Sequence, residues 1–175
     1  MRVKTKGMTL HVEPDDYPHN PRLDGSLDTM LCWHRRYDLG DENPYKTSQD
    51  FYDDKELQDS IFVMRKVYML DHSGLRFSAS AAQFRAVDPH GFDWGVVGVI
   101  YMTKADAERV YGDLSDESKQ KAADGLDYEI EVYDRYHNTQ HYEYFIDGKE
   151  GEPLAGACGF YGDNMTEILE VIRNV

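Results

Sequence analysis

The stretch SDESKQKAADGLDYEIEVYDRYHNTQ, residues 115–140, sets how the rest of the chain is read, because it spells a helix with two unlike faces. At about 100° per residue, Ala122, Leu126, Ile130 and Tyr133 fall in one narrow sector, and Glu117, Asp124, Asp127, Glu131 and Asp134 fall in the sector beside it. The first stripe must be buried; the second needs water or a cation. Side chains three and four apart on a helix lie about 5–6 Å from each other, so the acidic stripe is a ladder of carboxylates at a spacing not far from that of phosphates along a nucleic-acid strand. Two readings follow: the ordinary solvated face of a surface helix, or a nucleic-acid mimic. Ser115 opens the helix, Gly125 is its weak point, and it should end near Asn138.

Working outward, Gly95 to Thr103 is nearly continuous in apolar residues, the pattern of a central strand buried on both faces. Thr103 then caps a short helix, Lys104 to Tyr111. Before it, Ile61 to Leu70 and Leu75 to Ser78 make a hairpin around Asp71-His72-Ser73-Gly74. Asp and Ser close local hydrogen bonds in turns and Gly supplies positive φ, so adjacency alone does not make Asp71, His72 and Ser73 a catalytic triad. Ser48 to Asp59 reads as a short, strongly acidic helix carrying Asp50, Asp53, Asp54, Glu56 and Asp59. Nearer the N-terminus, Met8 to Glu13 alternates as a strand that stops at Pro14, residues 15–28 form a loop, and Met30 to Cys32 runs as a strand into a polar loop. Ala79 to Trp94 is a long connection. After the long helix, His141 to Ile146 and Pro153 to Tyr161 make a second hairpin, in which Gly156, Gly159 and Gly162 mark close backbone approach or a bulge. Asp163 or Asn164 caps a last helix that turns Ile168, Leu169 and Ile172 inward. Strands, helices, strands and a helix in this order give the α+β class, a mostly antiparallel sheet with helices packed on one face. We expect one domain over residues 1–175, with 1–60 a partly irregular acidic N-terminal extension.

Hydrophobic residues make up 41% of the 175 and aromatics 13%, enough for a core and too much for a chain disordered throughout. The formal net charge is −14, from 33 acidic and 19 basic residues, which repels nucleic acid and anionic membranes. Cys32 and Cys158 lie far apart in apolar settings, so both are expected as buried, reduced thiols, with neither a disulfide framework nor a cysteine zinc site. No window approaches the roughly 18 apolar residues of a membrane span and none reads as a signal peptide; the expected location is the cytoplasm. The common nucleotide-binding, zinc-protease and hydrolase signatures are absent. His137 and His141 are four apart, but the helix ends between them, and a structural or solvated role is expected. No cofactor or metal is expected. The remaining chemistry-bearing group is His34, Arg36, Asp38, Asp71, His72 and Asp93, a set suited to acid–base work. Asp38, Asp41, Asp71 or Asp93 would suit magnesium. Equally, Arg35 and Arg36 beside Asp38 and Asp41 suit plain ion pairing.

Met30-Leu31-Cys32-Trp33-His34-Arg35-Arg36-Tyr37-Asp38-Leu39-Gly40-Asp41, Tyr68-Met69-Leu70-Asp71-His72-Ser73-Gly74, Val97-Gly98-Val99-Ile100-Tyr101-Met102-Thr103-Lys104, Glu131-Val132-Tyr133-Asp134-Arg135-Tyr136 and Gly159-Phe160-Tyr161-Gly162 resemble the successive motifs of an uncharacterised protein family common in bacteriophages and mobile elements. The resemblance covers roughly residues 30–162 and brings no assigned activity. This chain departs from the pattern at two places. Phe92-Asp93-Trp94-Gly95 replaces Pro-Trp-Asp-Ser-Gly-Gln before the central strand, and Ala155-Gly156-Ala157-Cys158 replaces Asp-Ser-Cys-Trp before Gly-Phe-Tyr-Gly. Resemblance and charge together imply an anti-defence inhibitor, of anti-CRISPR or anti-restriction type, in the host cytoplasm. It would bind a host protein with a basic nucleic-acid-binding surface through Asp50, Asp53, Asp54, Glu56, Asp59, Glu117, Asp124, Asp127, Glu131 and Asp134, with no direct contact to nucleic acid or membrane. The alternative is a small metal-dependent hydrolase or nuclease-like enzyme using His34, Arg36, Asp38, Asp71, His72 and Asp93. A polar cluster converging in a cleft favours the second; a convex, continuous acidic face favours the first.

Overall fold

The structure is a computed structural model that describes residues 2–5, 7–23 and 25–162. Its elements in order are β1 (Arg2–Thr5), β2 (Met8–Pro14), a 3-10 turn (Pro21–Leu23), β3 (Thr29–Cys32), α1 (Ser48–Asp53), α2 (Lys55–Ser60), β4 (Ile61–Asp71), β5 (Leu75–Ser78), α3 (Ala82–Val87), β6 (Trp94–Thr103), α4 (Lys104–Tyr111), α5 (Asp116–Asn138), β7 (His141–Asp147) and β8 (Pro153–Tyr161). The fold is α+β with antiparallel sheets. The last expected helix lies outside the described residues. No helix among those residues is long and apolar enough to cross a membrane.

The strands form two four-stranded sheets, in the orders β1-β2-β7-β8 and β3-β6-β4-β5, and the chain divides into two compact units. One comprises residues 1–20 and 138–175, the other 21–137. In the first, Leu10, Val12 and Ile146 make a small core with Met8, Tyr142, Tyr144 and Phe160 against it. Its edge strand β8 carries the expected irregularity: pairing jumps from Ala157 to Phe160, and Gly159 takes φ +82°. Cys158 sits in this jump and is exposed, against the expectation of a buried thiol, because an edge strand has one side without cover; Cys32 is buried, and both thiols are free.

The larger unit is built around β6. Val97, Ile100 and Met102 point to one face, where Leu126, Ile130 and Tyr133 of α5 and Ala107 of α4 pack on them. Val99 and Tyr101 point to the other, against Phe51 of α1, with Leu57 of α2 partly buried beside it. The six residues expected in the core, Val97, Val99, Tyr101, Leu126, Ile130 and Tyr133, are all buried, shared between the two faces. Helices therefore cover both faces of this sheet, α4 and α5 on one and α1 and α2 on the other, where the sequence reading placed them on one. The physical cause is the apolar run of β6, which leaves neither face able to meet water. A bulge explains why Val97 and Ile100 share a face although three residues apart: β4 pairs Val67 with Gly98 and Tyr68 with Val96, so β6 holds one extra residue there.

Local chemistry sets the helix ends. Ser115 Oγ accepts from the Ser118 amide at 3.2 Å, and Asp113 accepts from the Ser115 amide at 2.9 Å and the Ser118 hydroxyl at 2.6 Å, so α5 starts on a double cap. The expected acidic helix is two helices, broken at Asp54, whose carboxylate accepts from the Leu57 amide at 3.0 Å and caps α2. The long connection before β6 contains α3, anchored by buried Phe84. Gly98 permits the closest strand contact: a Cβ there would overlap the Leu31 carbonyl oxygen and the Cys32 sulfur.

Two outcomes follow. Gly98→Ala should destabilise by about 1–3 kcal/mol in a urea titration, because the obstructing atom is backbone and cannot swing away. Hydrogen bonds from Ser118 and Ser115 hold the Asp113 carboxyl down from its ordinary 3.8 to about 2. A carboxyl depressed by folding contributes stability above its unfolded value, and that contribution is lost as pH falls through the folded one. Asp113→Asn should therefore flatten the fall of the melting temperature between pH 4 and 2.

Candidate functional site

The two candidate sets fare differently. Of the acidic set, Asp50 closes a capping box with Thr47, its side chain accepting from the Thr47 amide at 2.9 Å. Asp53 accepts from Gln49 and Asp124 from Gln120, both neutral partners that leave the charge in place. Glu56, Asp59, Glu117 and Glu131 are exposed, Glu117 with Lys121 one turn away at 2.8 Å. Three others are committed within the chain. Asp54 caps α2 and also accepts from the Tyr45 hydroxyl at 2.7 Å. Asp127 pairs with Arg65 of β4 at 2.9 Å. Asp134, only 14% exposed in its side chain, holds Arg76 in a two-pronged pair and accepts from the Phe77 amide at 2.6 Å. Around Asp127, Glu131 and Asp134 the surface is hollow and shared with Arg76 and Arg135. The α5 stripe is thus not one continuous acidic face.

The polar set largely converges. After β3, the Trp33 amide makes a last sheet bond to the Val97 carbonyl at 2.8 Å, and the chain then bends away at Arg35 and Arg36. Between this departing loop and the first residues of β6 lies a cavity of about 280 Å³, lined by Trp33, His34, Arg36, Asp71, Phe92 and Asp93 among others. Arg36 pairs with Asp71 and lies 5.3 Å from the centre of the Tyr37 ring. His34 stacks on Tyr37 and accepts on Nδ1 from the Arg36 amide at 3.3 Å. His72 Nδ1 meets Asp93 Oδ2 at 2.9 Å, so a carboxylate orients the imidazole. Ser73 takes φ +60° in the turn, and Asp71 and His72 engage different partners; adjacency in sequence does not make a triad here. Asp38 is not among the residues lining this cavity; it lines a neighbouring hollow with Asp41, Asn43 and Lys46. Among the described residues no three His, Cys, Asp or Glu side chains stand close enough to share a metal ion.

One residue that sequence reasoning passed over organises the ground beneath this site. Arg22, in the segment read as loop, is buried with its side chain 1% exposed. It bonds Asp41 at 2.7 and 2.9 Å, Asp28 at 2.9 Å and Glu129 of α5 at 3.2 Å. Asp41, considered above as a magnesium ligand, is committed to this knot and also accepts from the Met30 amide at 2.8 Å. Burial alone would lower the Arg22 value, but the carboxylates more than offset it and the guanidinium stays charged. Burial pushes Asp28 and Glu129 up, with Arg22 opposing. Burial likewise lifts the Cys32 thiol to about 12, so it is no nucleophile at neutral pH. The available signal was a lone arginine among four aspartates in a segment holding two prolines and a glycine.

No family model matches the chain, and no curated protein and no solved structure matches it.

Removing one partner from a buried ionic cluster leaves charge without compensation. Arg22→Met should therefore cost about 3–5 kcal/mol at neutral pH in chemical denaturation. Burial holds the Asp28 and Glu129 carboxyls above their ordinary values in the folded chain. Their protonation supports the fold at low pH, and that support fades as pH rises through the folded values. The Arg22→Met deficit should shrink on acidification; a deficit independent of pH would contradict the buried carboxylates' role.

Proposed function

We propose that the protein is a phage or mobile-element accessory factor that inhibits a host defence system, of anti-CRISPR or anti-restriction type, by occupying the basic nucleic-acid-binding surface of a host protein in the host cytoplasm. The observation that carries this reading is the set of exposed carboxylates on α1, α2 and α5 that no arginine among the described residues neutralises: Asp50, Asp53, Glu56, Asp59, Asp124 and Glu131, in a chain of net charge −14. Oppositely charged surfaces attract at long range, speed encounter and lose their advantage as salt rises, the screening length being about 10 Å at 0.1 M. Asp54, Asp127 and Asp134 are left out of the contact set because the chain uses them internally.

A second reading is favoured by two observations: the convergence of His34, Arg36, Asp71 and Asp93 on a single cavity, with His72 held by Asp93, and the interruption of the α5 acidic stripe by Arg65 and Arg76. It makes the protein a small enzyme in which His72 acts as general base and Arg36 steadies negative charge.

The test begins with a pull-down from host lysate and continues with binding to the partner it yields. Reversing Asp53, Glu56, Asp59 and Asp124 to Lys should weaken binding at least tenfold, and affinity of the parent should fall as salt rises from 50 to 300 mM. His72→Ala and His34→Ala should leave binding within twofold. The opposite order of sensitivity would overturn the acidic-surface reading in favour of the cavity.

A further inference from the structure

We infer that the open edge of β6 at Trp94 and Val96, next to this cavity, is a strand-addition site for an extended peptide bearing acidic side chains. The first observation is backbone geometry. In an antiparallel pair, successive residues turn their N–H and C=O to alternate sides. The Asp71 amide donates to the Asp93 carbonyl at 2.8 Å, and Met69 pairs with Gly95, so Asp93 and Gly95 face β4. Trp94 and Val96 therefore turn their backbone groups to the opposite side, where β3 should lie. But β3 ends its pairing at Cys32 opposite Gly98, and the Trp33 amide makes one more bond, to Val97. Among the described residues nothing bonds the outward amides and carbonyls of Trp94 and Val96. The cavity of about 280 Å³ adjoins this edge and extends over the sheet to Met69 and Asp71 of β4.

The second observation is what surrounds this edge. Val96 is 54% exposed and Phe92 84% exposed, two apolar side chains beside a strand edge, and Gly95 between Trp94 and Val96 has open space where a Cβ would project. A natural edge strand is ordinarily protected by charge, proline or a covering loop; this one is open and apolar. Peptides that add a strand to an edge gain affinity from main-chain hydrogen bonds and specificity from pockets for alternate side chains.

The third observation selects the occupant. His34 and Arg36 line both this cavity and an adjoining hollow of about 420 Å³ whose remaining lining residue is Arg35. Arg36 is satisfied by Asp71, whereas Arg35 is exposed and forms no ion pair among the described residues. In a chain of net charge −14, an uncommitted cation at the mouth of an open strand edge complements an acidic side chain on the entering peptide. This site is separate from the carboxylates of the proposed inhibitory surface and does not depend on that reading.

The probe is a fluorescent positional-scanning library of end-blocked hexapeptides, titrated into the full chain by polarisation at 50 mM salt. Pools with Asp or Glu fixed at one position should bind best, and the bound pool should slow hydrogen exchange at the Trp94 and Val96 amides. Val96→Pro, which removes an outward N–H that no sheet partner uses, should weaken binding at least tenfold. Arg35→Glu should move the preference from acidic to basic pools. The Asp53, Glu56, Asp59 and Asp124 reversals should leave peptide binding unchanged, which separates the failure of one proposal from that of the other. If Val96→Pro does not fold, the exchange measurement on the parent decides. No pool binding tighter than about 1 mM, binding unmoved by both variants, or protection of Trp94 and Val96 in the protein alone that grows with its concentration, the mark of a second copy on the edge, would overturn the proposal.

Discussion

The larger unit hangs on a buried cation. Arg22 reaches three carboxylates from three parts of the chain: Asp28 before β3, Asp41 after the loop that follows β3, and Glu129 on α5. Removing a guanidinium from water costs several kcal/mol, and carboxylates repay it only with good geometry; four bonds of 2.7–3.2 Å to their oxygens provide it here. Because Asp41 also accepts from the Met30 amide, and its own amide donates to the Met30 carbonyl at 2.8 Å, the knot fixes where the loop returns to the sheet. The Gly40 amide, donating to the buried Tyr133 hydroxyl at 3.0 Å, ties the same point to α5. The loop from His34 to Leu39 is therefore clamped at both ends, by Trp33 on Val97 and by Gly40 and Asp41, and the basic and aromatic residues between those clamps are presented at a fixed place beside β6.

The charge distribution shows a limit of reading one helix at a time. Off the apolar stripe of α5, Asp127 and Asp134 look alike to a helical wheel, yet both face arginines that arrive from strands, Arg65 and Arg76. Asp134 additionally accepts from the amide of Phe77, within the edge strand β5, so its negative charge completes a sheet edge. Glu131, one turn away, stays exposed. A wheel records direction around an axis and contains nothing about which neighbour supplies the countercharge.

What was legible follows the same division between local and distant causes. The hairpin around Asp71, the central strand, the Thr103 cap, both ends of α5 and the second hairpin are written in short-range pattern, and the structure places them within a residue or two. The break at Asp54 and the helix at Ala82–Val87 were missed because an N-cap inside a polar run and a short helix with one anchor leave little periodicity. The split into two sheets, the helices on the second face of β6 and the Arg22 knot depend on contacts distant in sequence, from Phe51 on Tyr101 to Arg22 with Glu129. Of the polar set, four residues meet around one cavity because the hairpin turn, the loop before β6 and the loop after β3 all end at the same end of one sheet; composition alone gave their types and not their meeting.

The bulge in β6 makes chain length itself a carrier of structural meaning. Opposite Val67 and Tyr68 the strand holds one residue more than its partner, so the inward and outward assignments of Trp94 to Val96 are out of phase with those of Val99 to Met102. Deleting one residue from this segment would bring the two halves into phase. It would exchange which side of the ribbon meets the hydrocarbon interior and which meets the cavity. The strand thus encodes its two environments by count as well as by composition, and a comparison of such sequences that closes the gap to improve an alignment would erase that count.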